Sequence, residues 1–163
     1  MRRNRNRRME HPKNGYSLKR GEGTQINFRG TTMTLKAVGE QTDGAYSLIE
    51  MLHPPDVGPA LHTHPRGAEA FYVLDGSYRI RSGHQVYMAT SGDFVFIPKG
   101  LPHSYQSGVE GGKVLVISPA GLEKYFKEVA EVLTTQAIPW DLEQEIARRH
   151  GQEFLEKLQH WGQ

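Results

Sequence analysis

The sequence of 163 residues contains no cysteine, which excludes a disulfide-stabilised scaffold and disfavours soft metals that prefer thiolate ligands. No hydrophobic run approaches the roughly 20 residues of a membrane-spanning helix. The basic N-terminus is not followed by the apolar stretch of a signal peptide. With neither kind of targeting segment, we expect a cytoplasmic protein without a membrane partner.

Hydrophobic residues are also few, at 37%, whereas the chain has 18 glycines and 9 prolines. This composition is typical of short strands joined by tight corners rather than of a helical bundle. The length suits one well-packed domain and is short for two. No internal repeat is present.

The segment from Met1 to Lys13 is predicted to be a disordered basic tail, because its arginines have no apolar neighbours with which to pack. The arginines are Arg2, Arg3, Arg5, Arg7 and Arg8. One interpretation is an arm for nucleic acid or an anionic membrane; the other is a solvated tail. We favour the solvated tail, since no aromatic residue is interleaved for base stacking. Without these five arginines the net charge of +2 becomes −3, so we expect no nucleic-acid partner.

Residues 14–118 are predicted to be β-structure, because β-branched and aromatic residues alternate with polar ones between turn signals. Turns are expected at Arg29-Gly30, Asp75-Gly76, 82–85 and 108–112. Many short strands with regular turns indicate an antiparallel sandwich or barrel.

Residues 119–163 change to a helical pattern, with apolar residues at helical spacing from Leu122 to Leu133. Ser118 before Pro119 is a candidate cap for this helix. Asp141 is a candidate cap for a second helix that ends near Gly151, and 153–161 could form a third. A lid function for the first helix is possible, but packing against the core is favoured. We expect these helices on the outside of the barrel.

Two histidines and a carboxylate lie close together in HTHPRGAEAFYVLDG, residues 62–76. His62 and His64 are two residues apart, so their side chains share one face of an extended strand. A bend at Pro65-Arg66-Gly67 would bring Glu69 back towards them. Two imidazoles and a carboxylate are a partial ligand set for a first-row divalent metal.

A second stretch, GDFVFIPKGLPH at residues 92–103, places His103 after a short apolar strand and a rigid corner. The two stretches together resemble the cupin superfamily. The first cupin motif is matched by His62, His64, Glu69 and Gly76, and the second by Gly92, Pro98, Gly100 and His103. The sequence departs from the motifs at two positions. The leading glycine of the first motif is replaced by Asp56, and the closing asparagine of the second motif is replaced by Ser107.

The resemblance implies a mainly β fold, a cupin jelly-roll barrel of the single-domain, quercetin-dioxygenase-like type. It also implies that His62, His64, Glu69 and His103 bind one divalent metal ion per chain. Mixed nitrogen and oxygen ligation suits Mn, Fe, Co, Ni, Cu or Zn. Glu69 could remain a metal ligand or take a substrate proton as a general base.

By resemblance, the favoured function is a metal-dependent dioxygenase acting on a small aromatic or enolic compound. Alternatives are a metal-dependent isomerase or cyclase and a non-enzymatic small-molecule-binding cupin. A transcription-factor cupin is disfavoured, because the chain has no room for a helix-turn-helix domain before the barrel. The candidate pocket residues are Phe71, Phe94, Phe96 and Tyr105, although each could equally belong to the barrel core. The resemblance also implies a homodimer.

Overall fold

The computed structural model describes residues 14–157, so the predicted disorder of the basic tail lies outside the described residues. The described part contains nine strands and two helices. In chain order the strands are β1 Thr24–Phe28, β2 Thr31–Ala37, β3 Ser47–His53, β4 His62–Thr63, β5 Glu69–Ser82, β6 Gln85–Thr90, β7 Phe94–Ile97, β8 His103–Ser118 and β9 Glu153–Phe154. The helices are α1 Leu122–Leu133 and α2 Trp140–Arg149. Neither is long and apolar enough to cross a bilayer.

All strand pairs are antiparallel, and β8 holds the sheet together by pairing with β3, β4 and β5. The outer strands extend this centre in the order β1-β2-β3-β8-β4-β9, while β6 and β7 both pair with β5. The core is filled from the inner faces of β2, β3, β5 and β8. The predicted mainly β architecture is therefore confirmed.

The expected turns at Arg29-Gly30 and at 82–85 are present as the β1–β2 and β5–β6 hairpins. The turns expected at Asp75-Gly76 and at 108–112 are wrong, because β5 and β8 run through both positions as long strands with bulges. Gly76 lies directly opposite Gly112, and a Cβ on Gly76 would come within 2.5 Å of the Gly111 carbonyl oxygen. These glycines thus permit close approach of two bent strands rather than chain reversal.

The C-terminal helices pack against the sheet, and the apolar stripe of α1 joins the core as expected. Its buried members are Leu122, Tyr125, Phe126 and Val129. Asp141 lies in the first turn of α2 and does not cap it, since Pro139 is the N-cap residue. The expected third helix is wrong over its described part, because Glu153–Phe154 is a strand paired with β4. Residues 158–161 of that helix lie beyond the described part.

A buried ion pair fixes α2 to the β1–β2 turn. Both nitrogens at the end of the Arg29 guanidinium donate to Glu143, over 2.7 and 2.8 Å. The Tyr125 hydroxyl donates to the same carboxylate over 2.7 Å. Because such bidentate pairs are geometrically demanding, this contact sets where α1 and α2 sit on the sheet.

The two departures from the cupin motif have local explanations. Asp56 has a φ of +56°, a left-handed conformation that aspartate tolerates better than most residues other than glycine. The Ser107 hydroxyl donates to the Pro54 carbonyl over 2.7 Å and accepts from the Val57 backbone N–H over 3.1 Å. Ser107 therefore ties the 54–57 loop to β8.

Candidate metal centre

Four side chains predicted to bind metal converge inside the barrel: His62, His64, Glu69 and His103. All four are buried, and one donor atom of each lies within 4.8 Å of the others. Donors bound to one ion at about 2.1 Å are at most about 4.2 Å apart, so small shifts would complete the coordination. The arrangement is a potential metal-binding site.

The short strand β4 brings the histidines together. His62 pairs directly with His103 across β4 and β8, and their ring centroids are 4.3 Å apart. The His64 carbonyl accepts from the Gly100 N–H over 3.0 Å, which fixes the Pro98-Gly100 corner beside β4. The rigid corner thus holds the loop that leads to His103.

Backbone carbonyls set the orientation of two of the imidazoles. His62 Nδ1–H donates to the Ala60 carbonyl, and His103 Nδ1–H donates to the Leu101 carbonyl, each over 2.8 Å. Nε2 of each ring is left to face the centre of the site. Metal-ligating histidines are usually held by such a contact on the other nitrogen.

The third imidazole shows that the donor set fits an ion. Among the residues that the structure describes, neither ring nitrogen of buried His64 has a hydrogen-bond partner. Its Nε2 lies 3.4 Å from Glu69 Oε2. Leaving a buried polar atom unpaired costs about 1–3 kcal/mol, and a metal ion beside Nε2 would satisfy it. Three imidazoles and one carboxylate suit a first-row divalent ion.

Glu69 is held from both sides. Its Oε2 lies 3.0 Å from His103 Nε2, and its Oε1 accepts from the Ser118 hydroxyl over 3.0 Å. Burial would raise the pKa of Glu69, but His64 and His103 outweigh burial and hold that pKa well below its ordinary value. Glu69 is therefore a carboxylate, the form that binds metal.

Ser118 is a functional residue that the sequence interpretation missed. The expected helix cap is wrong, since α1 begins at Leu122 after Gly121 and has no side-chain cap. The hydroxyl of Ser118 instead supports Glu69, which is 49 positions away in the chain. No local pattern reports such a contact, although Ser118 falls on the inward face of β8.

The surroundings of His62 and His103 shift their pKa values in opposite directions. Burial, followed by the nearby His103 and His64, lowers the pKa of His62 well below 6.5. Burial would also lower the pKa of His103, but its hydrogen bond to Glu69 outweighs burial and raises that pKa. Without metal, His103 can donate from both ring nitrogens, to Leu101 and to Glu69.

We predict that metal affinity falls as pH falls, because His103 must lose its Nε2 proton before it can bind an ion. Its pKa is raised above 6.5, so proton competition begins above that pH. Below the pKa, affinity should drop about tenfold per pH unit for one displaced proton. Competition titration with a chelator between pH 6 and 8 measures this slope, and a flat profile would contradict the assignment of His103.

The predicted aromatic pocket is only partly present. Tyr105 lines the cavity beside the site. Phe71 is buried against Tyr105, with their ring centroids 5.3 Å apart. The prediction for Phe94 and Phe96 is wrong, because these side chains are 59% and 55% exposed. Side chains alternate along a strand, and in β7 the inward positions belong to Val95 and Ile97.

The Tyr105 hydroxyl lies in a buried polar chain behind the site. It is 3.2 Å from His53 Nε2, and the other ring nitrogen of His53 is 2.9 Å from the Tyr78 hydroxyl. Burial lowers the pKa of His53 to about 3, so this imidazole is neutral at physiological pH. The chain holds Tyr105 in place without adding charge.

The cavity beside the candidate ligands has a volume of about 20 Å³, enough for about one water molecule. The C-terminal part of the chain forms much of its wall. The wall residues from this part are Leu122, Tyr125, Phe126, Gln152 and Phe154. Phe154 also lies over His62, with ring centroids 6.0 Å apart. The C-terminal segment, whose first helix was expected to pack against the core, thus also forms a wall of the site.

A second cavity, of about 460 Å³, lies between the 56–61 loop and the outer side of β5 and β8. It is larger, but it contains none of the four candidate ligands and shares only Pro59 and Tyr105 with the site. We therefore place the candidate chemistry in the smaller cavity.

Comparison with known proteins agrees with this geometry. Residues 48–118 match the family model described as Cupin domain. Over 91 residues, or 56% of the chain, the sequence is 32% identical to a quercetin 2,3-dioxygenase from Bacillus subtilis. The match spans 27% of that relative's length.

Solved structures share the fold at lower sequence identity. An RmlC-like cupin from Shewanella frigidimarina superposes with a TM-score of 0.58 at 16% identity, covering 68% of this chain and 96% of that one. The polyketide cyclase RemF from Streptomyces resistomycificus gives a TM-score of 0.55 at 21% identity, with coverage of 64% and 79%. The domain match over residues 48–118, the shared fold and the four side chains in motif register together show that the described part of the chain has a cupin fold.

Proposed function

We propose that this protein is a metal-dependent dioxygenase that acts on a small aromatic or enolic compound. The observation that carries the proposal is the convergence of three buried imidazoles and one buried carboxylate beside a cavity. The similarity to a quercetin 2,3-dioxygenase over 56% of the chain supports this reaction class.

The charge of the site favours an acidic oxygen on the substrate. Three neutral imidazoles and the carboxylate of Glu69 leave one net positive charge around a divalent ion, which attracts a phenolate or enolate. A bound ion would supply Lewis acidity towards that oxygen. Glu69 would take the substrate proton at Oε2 once that oxygen is released from the ion, while the Ser118 hydroxyl donates to Oε1 and keeps the carboxylate aligned.

The surrounding residues control access. Tyr125, Phe126 and Phe154 keep bulk water away from the ligands. A cavity of about 20 Å³ does not hold an aromatic ring, so binding requires part of this wall to move. The two-residue strand β9 is held to the site by its pairing with β4 and by the Leu155 N–H to Leu61 carbonyl bond of 2.8 Å. Separation of β9 from β4 would also break the ring contacts of Phe154 with Trp140 and Tyr125, whose centroids lie 5.7 and 6.0 Å from that of Phe154.

An oxygen electrode tests the proposal. The protein is loaded separately with Mn, Fe, Co, Ni, Cu and Zn, and each form is mixed with flavonols and simpler enols. We expect metal-dependent oxygen uptake that matches substrate loss. Rearrangement without oxygen uptake would contradict the dioxygenase and indicate an isomerase or cyclase. Tight metal-dependent binding with neither reaction would indicate a binding protein.

A further inference from the structure

Polar side chains are a minority in the wall of the cavity beside the candidate ligands. They are His62, Glu69, Tyr105, Tyr125 and Gln152. The first four already have polar partners: one ring nitrogen of the histidine donates to a carbonyl, both carboxylate oxygens are held, and each tyrosine hydroxyl contacts a buried side chain. The glutamine is the remaining polar group that a molecule in the cavity could meet.

The side chain of Gln152 is buried but has no partner. The residue is 4% exposed, and within the part of the chain that the structure describes its carboxamide takes part in no hydrogen bond. A buried amide left in this state is unfavourable. It offers two N–H donors and one acceptor oxygen, so it can bond to either a carbonyl or a hydroxyl on a bound molecule.

Strand pairing directs Gln152 towards the candidate ligands. Phe154 of β9 pairs with His62 of β4, and its ring lies over the imidazole with centroids 6.0 Å apart. Gln152 comes two residues before Phe154 in extended chain, so the two side chains share a face. This direction agrees with the place of Gln152 in the cavity wall.

The backbone at Gln152 is fixed by the end of α2. Its N–H donates to the Ala147 carbonyl over 2.9 Å. Gly151 has a φ of +83°, a left-handed conformation that suits glycine and ends the helix. The domain match stops at residue 118, so Gln152 is a contribution to the site from outside the matched domain.

We propose that Gln152 is a specificity-determining residue whose carboxamide bonds to a second oxygen of the substrate. This second oxygen is a hydroxyl or carbonyl other than the one that faces the four candidate ligands. The inference rests on the proposed function and narrows its substrate class to compounds with two oxygens, such as catechols and enolic ketones. A one-oxygen analogue leaves the buried amide unpaired, and sites of this kind reject analogues that lack the bonding group.

Binding of catechol and of phenol to the zinc-loaded protein without oxygen tests the proposal. Zinc has no redox chemistry, so ultraviolet difference titration measures both dissociation constants without turnover. The wild type should prefer catechol. Gln152→Met, which keeps the size and removes the hydrogen-bonding groups, should reduce that preference about tenfold, the contribution of one hydrogen bond. The comparison uses the same two ligands in each protein, so differences in how they contact the ion cancel.

Gln25→Met is the matched control, because Gln25 is exposed in β1, and it should keep the wild-type preference. Zinc content and thermal melting of Gln152→Met should match the wild type, and Gln152→Leu should give the same reduced preference.

Three results would overturn the proposal: an unchanged preference in folded Gln152→Met, equal weakening of both ligands, or a wild type that binds neither. A loss of zinc from Gln152→Met would also overturn it, because Gln152 would then support a metal ligand. A catechol preference that depends on Gln152, in a protein that consumes no oxygen, would contradict the dioxygenase and support this inference.

Discussion

Replacing His64 with alanine is expected to lower the affinity for a divalent ion by at least about 100-fold, since loss of a supporting contact alone often costs 10–100-fold. His64 supplies one of four donors, and its buried ring nitrogens have no other partner in the described part of the chain. The barrel should stay folded, because the substitution also removes two unsatisfied polar atoms. Elemental analysis after dialysis measures the loss, and circular dichroism reports the fold.

His84→Ala is the matched control, because His84 is exposed in the β5–β6 turn. This substitution should leave the metal content unchanged. Stoichiometric metal in a folded His64→Ala protein would show that the ion binds elsewhere. Equal losses in both variants would mean that histidine content, and not the site, governs the measurement.

Replacing Glu69 with glutamine should lower turnover by roughly two to four orders of magnitude, the usual contribution of a positioned base. Glutamine keeps the size and one oxygen but removes the basic carboxylate. In the wild type the Ser118 hydroxyl donates to Glu69 Oε1. In the variant, the amide oxygen can face either the ion or this hydroxyl. Metal content should therefore fall much less than turnover, and both are compared at saturating metal in the oxygen-uptake assay.

Glu50→Gln is the control for this change, because Glu50 contacts Lys113 at the edge of the sheet. The Glu50→Gln variant should have the same turnover rate as the wild type. If Glu69→Gln retains metal and full turnover, Glu69 is not the base. If it loses metal and turnover equally, Glu69 acts only as a ligand.

The match of the sequence to the two cupin motifs predicted the candidate ligands. His62 and His64 share a strand face, and Glu69 and His103 follow at cupin-motif spacing, so all four could be named before their positions were known. Their convergence follows from backbone register, in which His62 pairs with His103. Short-range rules of this kind also predicted the mainly β fold.

Contacts between segments that are far apart in the chain could not be predicted from the sequence. Ser118 supports Glu69, and β9 covers His62, through pairings that no local pattern encodes. Phe94 and Phe96 were placed in the pocket because β7 is apolar at every position, so alternation gave no indication of its inner side. Turns were wrongly predicted at Gly76 and Gly112, because a single sequence does not distinguish a glycine at a bulge from a glycine at a turn.

Anomalous X-ray diffraction from crystals of the metal-loaded protein tests the metal centre most directly. We predict one peak per chain, about 2.0–2.3 Å from Nε2 of His62, His64 and His103 and from a Glu69 carboxylate oxygen. A loaded protein whose anomalous peak lies away from these four side chains would contradict the account.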